Sequence, residues 1–303
     1  MWSITEEGEE NRRSAVLLSL MASLLYGSQF VVIKTGIGDI DPLLFGAMTS
    51  AIGGLVALAY VLPKGYISWR TFTRWEVWGG VGTTTAMISL QYTGLTMAPA
   101  SIGGLIVGSN IIFVAPISAL VFKERLGWRR ALGIGLGLIG LTTITTNWNL
   151  STLASGTLSG YIMLIGASLC IALTYPLIRV ATRRMRFEEW VTGFHLLTPI
   201  PLLLLALADG DLGSTASTNA LAILFVGVLC TSIPTMLWAK GLESLTFVTS
   251  ATILLSESVF AVLLGLLLLG EQITGLTFAG VGMVFAAIFL ASSGDKNVRG
   301  ERS

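Results

Sequence analysis

A succession of long, almost uncharged apolar runs constrains this chain more than any other feature. Ten can be read: 14–34, 43–62, 75–95, 98–122, 130–147, 157–178, 189–208, 219–239, 246–270 and 274–293. Each is close to the roughly 20 residues that a helix needs to cross the ~30 Å hydrocarbon layer. A backbone in lipid finds no water, so its polar groups must be satisfied within the segment, and a helix does this. A β-barrel would show short alternating segments, whereas VLLGLLLLG at 262–270 does not alternate. Charged residues make up only 12% of the 303, against about 25% in soluble domains, and they crowd between the runs. The expected fold class is all-α integral membrane, with ten transmembrane helices.

Orientation follows from the basic residues, because loops rich in Lys and Arg stay on the cytoplasmic side. With the N-terminus inside, seventeen of the 18 Lys and Arg fall on inner segments and Lys34 alone falls outside. This predicts a multi-pass protein of the plasma membrane with both termini cytoplasmic. Residues 1–13 are acidic and polar and lack the basic-then-apolar order of a cleaved signal, so they read as a tail before a retained first helix. Residues 294–303 read as the second cytoplasmic tail. A net charge of +1 offers nothing to nucleic acid. Cys170 and Cys230 lie inside apolar runs and make neither a disulfide framework nor a metal cluster, and no cofactor or metal is expected.

Residues 80–140 align without gaps onto 227–287, with thirteen identities in 61 positions, where such a biased composition gives roughly five by chance. Among them are Thr84/Thr231, Ser109/Ser256, Phe113/Phe260 and Glu124/Glu271. FVVIK at 30–34 matches YPLIR at 175–179 at a nearby offset. Each half, 14–147 and 157–293, then holds five helices. Five is odd, so the halves run through the membrane in opposite senses: a 5+5 inverted-topology repeat, the construction of many secondary transporters.

The residues that carry a resemblance are LYGSQFVVIK (25–34), APASIGGLIVGSN (98–110), VFKERLGWRRALGIGLGLIGL (121–141) and SESVFAVLLGLLLLGEQITGLTFAGVGMV (256–284). Together they resemble the drug/metabolite transporter superfamily, specifically its EamA-type ten-helix members, over nearly the whole chain. The resemblance implies a basket of ten helices around a central cavity lined mainly by helices 1, 3, 4, 6, 8 and 9. It also implies export of small metabolites, often amino acids. Two departures stand out. Pro42 is followed by LLFGAMTS without the arginine common there, and Ser258 follows Glu257 where a proline is common. The missing proline removes the usual ground for a kink in helix 9.

Glu257 is the sharpest candidate, a carboxylate deep in helix 9 between Ser256 and Ser258. A charged group at that depth is costly and is expected to face the bundle interior, as a proton carrier or as counter-charge to a substrate ammonium; a structural hydrogen-bonded glutamate is the alternative. Asn110 is its repeat partner in helix 4, either a second polar site group or interhelical glue. Tyr26, Gln29, Gln91, Tyr92, Tyr175 and Trp238 form a looser set suited to an amphipathic ligand, although Tyr and Trp near helix ends also serve as interfacial anchors. His195 on helix 7 is read as packing. Glu124 and Glu271 read as helix-end residues. The glycines from Gly133 to Gly140, with Gly280 and Gly282, read as packing or a dimer face. Lys34 either draws anions to the outer mouth or offsets Asp39 and Asp41.

Lipid, a small-molecule substrate and protons are the partners to consider, with the chain as monomer or homodimer. A channel or a non-transporting scaffold would show the same repeat. Gly36-Ile37-Gly38-Asp39 spells the signature of an intramembrane aspartyl protease, but no second embedded aspartate accompanies it, so an enzyme is not expected.

Overall fold

The computed structural model describes residues 2–98, 100–122, 127–149, 151, 156–210, 220–269 and 274–293. Among these the chain is helical, with no β-strand, and every apolar run coincides with one helix or with consecutive helical pieces.

Helix α1 (Trp2–Gly36) starts well before the first apolar run. The expected N-terminal tail is therefore part of α1; its Glu and Arg residues are good helix formers, and no proline stands between them and the apolar run. α2 (Pro42–Val61) opens on Pro42, and the Asp41 carboxylate accepts the Leu44 N–H at 2.8 Å. A capping Asp followed by Pro is a strong start signal. Two 3₁₀ turns, Leu62–Lys64 and Trp69–Thr73, lead to α3 (Trp75–Met97). The next run is split into α4 (Ala100–Gly108) and α5 (Ile111–Phe122), and α6 spans Trp128–Thr146.

In the second half, α7 (Leu158–Ala181) begins where the Thr157 hydroxyl accepts the Gly160 N–H at 3.1 Å. α8 (Phe187–Leu197) and α9 (Pro199–Asp209) form one interrupted rod, because Pro199 and Pro201 supply no N–H to the turn before them. α10 (Ala220–Gly227) passes through a π-helical turn at Val228–Ser232 into α11 (Ile233–Gly241), with Pro234 just after the widened turn. Such π turns accommodate a missing donor and cluster at functional sites. α12 (Phe247–Leu254) and α13 (Ser256–Leu269) are again one interrupted rod, and α14 covers Gly275–Ser293.

The break at Leu255 corrects the expectation drawn from the absent proline. Serines make it instead. The Ser256 hydroxyl donates to the Ile253 carbonyl at 2.7 Å, and Ser258 reaches out of its helix to the Gly104 carbonyl at 2.6 Å. Backbone bonds tighten to three-residue spacing, Leu255 N–H to Thr252 O and Ser258 N–H to Leu255 O, both at 3.2 Å. Serine hydroxyls that compete for helix carbonyls bend helices in this way. The first half breaks at Ser109–Asn110, with the Ser109 hydroxyl on the Leu105 carbonyl at 2.7 Å.

Among the described residues seven spans are long and apolar enough to cross a membrane, within α1, α2 and α7 and the consecutive pieces α4–α5, α8–α9, α10–α11 and α12–α13, with a shorter apolar stretch at Phe278–Leu290. α3 and α6 have the length but are more polar, carrying Thr83 to Thr85 with Gln91, and Arg129 with Arg130, respectively. The outside of the bundle is apolar: Leu120, Leu204, Leu267 and Phe289 are exposed, while Ser23, Ser50, Gln91, Asn110 and Glu257 are buried. Such a surface fits lipid rather than water. α6 lies along α14, α3 along α7 and α1 along α13. The close approaches are real at some glycines and absent at others. A Cβ on Gly140 would stand 2.8 Å from the Gly280 carbonyl, whereas Gly135 and Gly282 face open space.

Candidate functional site

A cavity of about 100 Å³ lies inside the bundle. By the same measure one water needs about 10–15 Å³, so the space admits a small ligand or several waters. α1 contributes Tyr26 and Gln29, α3 contributes Thr84, Gln91 and Tyr92, and Asn110 enters from the α4–α5 break. From the second half come Phe194 and His195 on α8, Cys230 and Thr231 in the π turn, Thr235 and Trp238 on α11, and Glu257 on α13.

Each position has a local cause. Glu257 is the second residue of α13, 6% exposed, in the first turn after a helix break. Free N–H groups and the helix dipole favour a carboxylate there. Asn110, 1% exposed, sits in the corresponding break of the first half, directly before α5. The two positions differ by the repeat offset of 147. The Tyr26 hydroxyl lies 2.7 Å from that of Thr235, and the Trp238 indole donates to the Ser250 hydroxyl at 3.0 Å. Tyr92 packs edge-on to Phe45 with ring centroids 6.0 Å apart, which fixes its ring against α2.

Seven of the eight residues singled out from the sequence meet at this cavity: Glu257, Asn110, Tyr26, Gln29, Gln91, Tyr92 and Trp238. Tyr175 is the exception. It is fully buried behind Trp238, with T-shaped ring contacts to Trp238 at 4.9 Å and to Phe247 at 5.4 Å, so it backs the wall instead of forming it. His195, read as packing, is on the wall. It is 4% exposed, its ring is 4.3 Å from that of Phe194, and neither ring nitrogen has a hydrogen-bond partner. The Asn110 Oδ1 and Gln91 Nε2 atoms are also buried without partners.

Thr84, Thr231 and Thr235 were not singled out. Thr84/Thr231 is one of the repeat identities, and polar residues kept at repeat-related places inside apolar runs were the available signal. Lys34 has backbone partners that neither expectation named. Its ammonium donates to the Leu95 carbonyl at 2.8 Å and the Ala98 carbonyl at 3.1 Å, closing the C-terminal end of α3. Glu124 and Glu271 lie outside the described residues. Among the described residues no group of three or more His, Cys, Asp or Glu could hold a metal, and Cys170 and Cys230 are free thiols.

Comparison with known proteins places these features. A solved crystal structure superposes with a TM-score of 0.78 at 21% identity, covering 95% of this chain and 99% of that one, which shows a shared fold. A Salmonella typhimurium protein described as a "probable amino-acid metabolite efflux pump" is 25% identical over 287 residues, 90% of this chain and 93% of its own length. An aromatic amino acid exporter of Ancylobacter novellus is 29% identical over 197 residues, 62% of this chain and 65% of its own. The EamA-like transporter family matches twice, at residues 13–146 and 158–293. The chain is a multi-pass membrane protein that belongs to the EamA-like transporter family, within the drug/metabolite transporter superfamily.

Proposed function

We propose that the chain exports small metabolites by alternating access, with amino acids and related amphipathic compounds as the leading cargo. In this reading ten helices cross the plasma membrane as two inverted five-helix halves, 14–147 and 157–293, with both termini cytoplasmic. The observation that carries it is the meeting of Asn110 and Glu257 in one cavity, each at a helix break and each at the equivalent place of its half. Transporters with inverted repeats place their sites where interrupted helices expose polar ends near the midplane.

The wall is shared between the halves, so rocking one half against the other would open the cavity to one side and then the other. Tyr26, Gln29, Gln91, Tyr92 and Trp238 give it the mix of aromatic faces and few polar groups that suits an amphipathic ligand. Tyr175 supports Trp238 from behind. The names of the two relatives point toward amino acids. Glu257 is the candidate coupling group, able to carry a proton or to face a substrate ammonium.

The test is flux of a labelled amino-acid panel through proteoliposomes, wild type beside Glu257→Gln, with and without a pH gradient. Saturable, gradient-stimulated flux that falls at least about ten-fold in the variant supports a carrier coupled through Glu257. Unchanged flux in the variant removes Glu257 from the mechanism. Flux that never saturates would instead indicate a channel.

A further inference from the structure

The walls of the cavity differ in hydrogen-bonding character. His195 and Gln91 are carried by one pair of elements, α8 and α3. These two helices touch: a Cβ on Gly80 of α3 would lie 3.0 Å from the Phe194 side chain of α8. Asn110 and Glu257 are carried by another pair, at the α4–α5 break and the start of α13. Those elements are tied by the Ser258 hydroxyl on the Gly104 carbonyl at 2.6 Å.

A neutral imidazole carries one N–H donor, and buried donors in native proteins are almost always paired. His195 has no partner at either nitrogen, and the Gln91 amide nitrogen has none either. A histidine kept for packing ordinarily bonds a carbonyl or carboxylate through at least one nitrogen. The backbone of α8 also cannot easily turn the ring elsewhere. Gly54 of α2 is so close that a Cβ there would lie 2.9 Å from the His195 carbonyl group, and the Phe194 ring covers one face of the imidazole. The missing partner must come from the cavity. On the same cavity the Asn110 Oδ1 atom is an unpartnered acceptor, and the Glu257 carboxyl accepts as well when ionised.

We infer that His195, with Gln91, receives the carboxylate of a zwitterionic α-amino acid whose ammonium faces Glu257 and Asn110. The inference rests on the export reading above and adds to it the pose of the cargo and a specificity residue on α8. Donors then meet the acceptor end of the ligand and acceptors meet its donor end. Met87, Ile88, Ile171 and Leu254 leave an apolar lining for the side chain of the cargo.

The experiment uses the full chain in proteoliposomes with labelled L-phenylalanine and L-leucine. Phenethylamine and isoamylamine, which lack the carboxylate, serve as competitors. His195→Leu should raise KM for both amino acids about ten-fold, the worth of one good hydrogen bond, with kcat little changed, the mark of lost binding. Inhibition by the two amines should stay as in wild type. His195→Gln, which keeps an N–H donor, should recover most of the affinity. Should His195→Leu fail to insert, Gln91→Leu carries the same expectation. An unchanged KM in the Leu variants overturns the inference, as does an equal weakening of amino acids and amines, which would mean packing. If wild type moves neither amino acid, the pose falls together with the amino-acid reading; if wild type moves them, only the variants decide.

Discussion

The Tyr26 hydroxyl donates to the Thr235 hydroxyl across 2.7 Å, because the hydrogen of Thr235 is already directed at the Thr231 carbonyl, 2.8 Å away. The relay joins α1 of the first half to the π turn of the second, along the cavity wall. Tyr26→Phe removes one donor and leaves the Thr235 bond in place. Interhelical hydrogen bonds in membranes average about 0.6 kcal/mol, with a maximum near 1.7. The variant should therefore unfold roughly 1–3 °C lower in detergent, while Thr235→Val, which also strips the bond to Thr231, should lose more.

At Gly27 the backbone of α1 comes close to that of α13. A Cβ there would stand 2.5 Å from the Glu257 carbonyl oxygen, 2.9 Å from Phe260 Cβ and 3.1 Å from the Ala261 nitrogen. Backbone atoms cannot swing aside, so Gly27→Ala must separate the helices, and overpacking of this kind costs about 1–3 kcal/mol. Because the displaced carbonyl belongs to Glu257, flux should drop by about ten-fold or more even where the protein still inserts. Gly135→Ala, whose Cβ would meet nothing within 4 Å, is the control and should transport as wild type.

Lys34 caps the carbonyl end of α3, where a cation is favoured by the helix dipole and the free carbonyls. Lys34→Met keeps the stem and removes the donors. The side chain is exposed, so solvent screening holds the expected loss below about 1 kcal/mol. The effect should be local: faster hydrogen exchange over the last turn of α3 and the following residues, with cargo selectivity unchanged. Altered selectivity would mean that Lys34 meets cargo at the outer mouth after all.

Glu243 lies in the turn between α11 and α12, outside the apolar helices. Partial burial pushes its carboxyl up from the usual range, the Glu188 carboxylate adds to this, and Lys240 opposes it. A carboxyl with a raised folded-state value binds more protons folded than unfolded. Stability therefore falls as pH rises from the ordinary glutamate value through the raised one. Thermal unfolding in detergent should show wild type losing stability across that window relative to Glu243→Gln, with the two curves parallel above it. A wild type that gains stability there would reverse the sign and refute the assignment.

Much of the architecture is visible in one dimension. Hydrophobicity in a membrane chain is a local property, so apolar runs mark several helices to within a few residues, 75–95 against Trp75–Met97 and 157–178 against Leu158–Ala181, though not the polar start of α1. The motifs around Glu124 and Glu271 point to the family for the same reason, since contiguous residues carry them. Glu257 and Asn110 stood out because polar groups inside such runs are costly, and that cost needs no coordinates to be recognised.

Which side of a helix faces the cavity is another matter. In a soluble protein the polar face and the buried face separate, and periodicity reveals them. Here lipid and protein interior are both apolar, so the pattern carries little directional information. Tyr175 and His195 show the consequence: a tyrosine expected at the site lies behind Trp238, and a histidine expected in packing stands unpartnered on the wall. The breaks at Asn110 and Leu255 likewise depend on serine hydroxyls meeting particular carbonyls. Composition and the order of the runs by themselves determined a helical membrane protein, and contiguous motifs pointed to its family. The rotation of each helix, and with it the chemistry of the cavity, was decided by tertiary packing, because it depends on which neighbours offer a backbone close enough to touch.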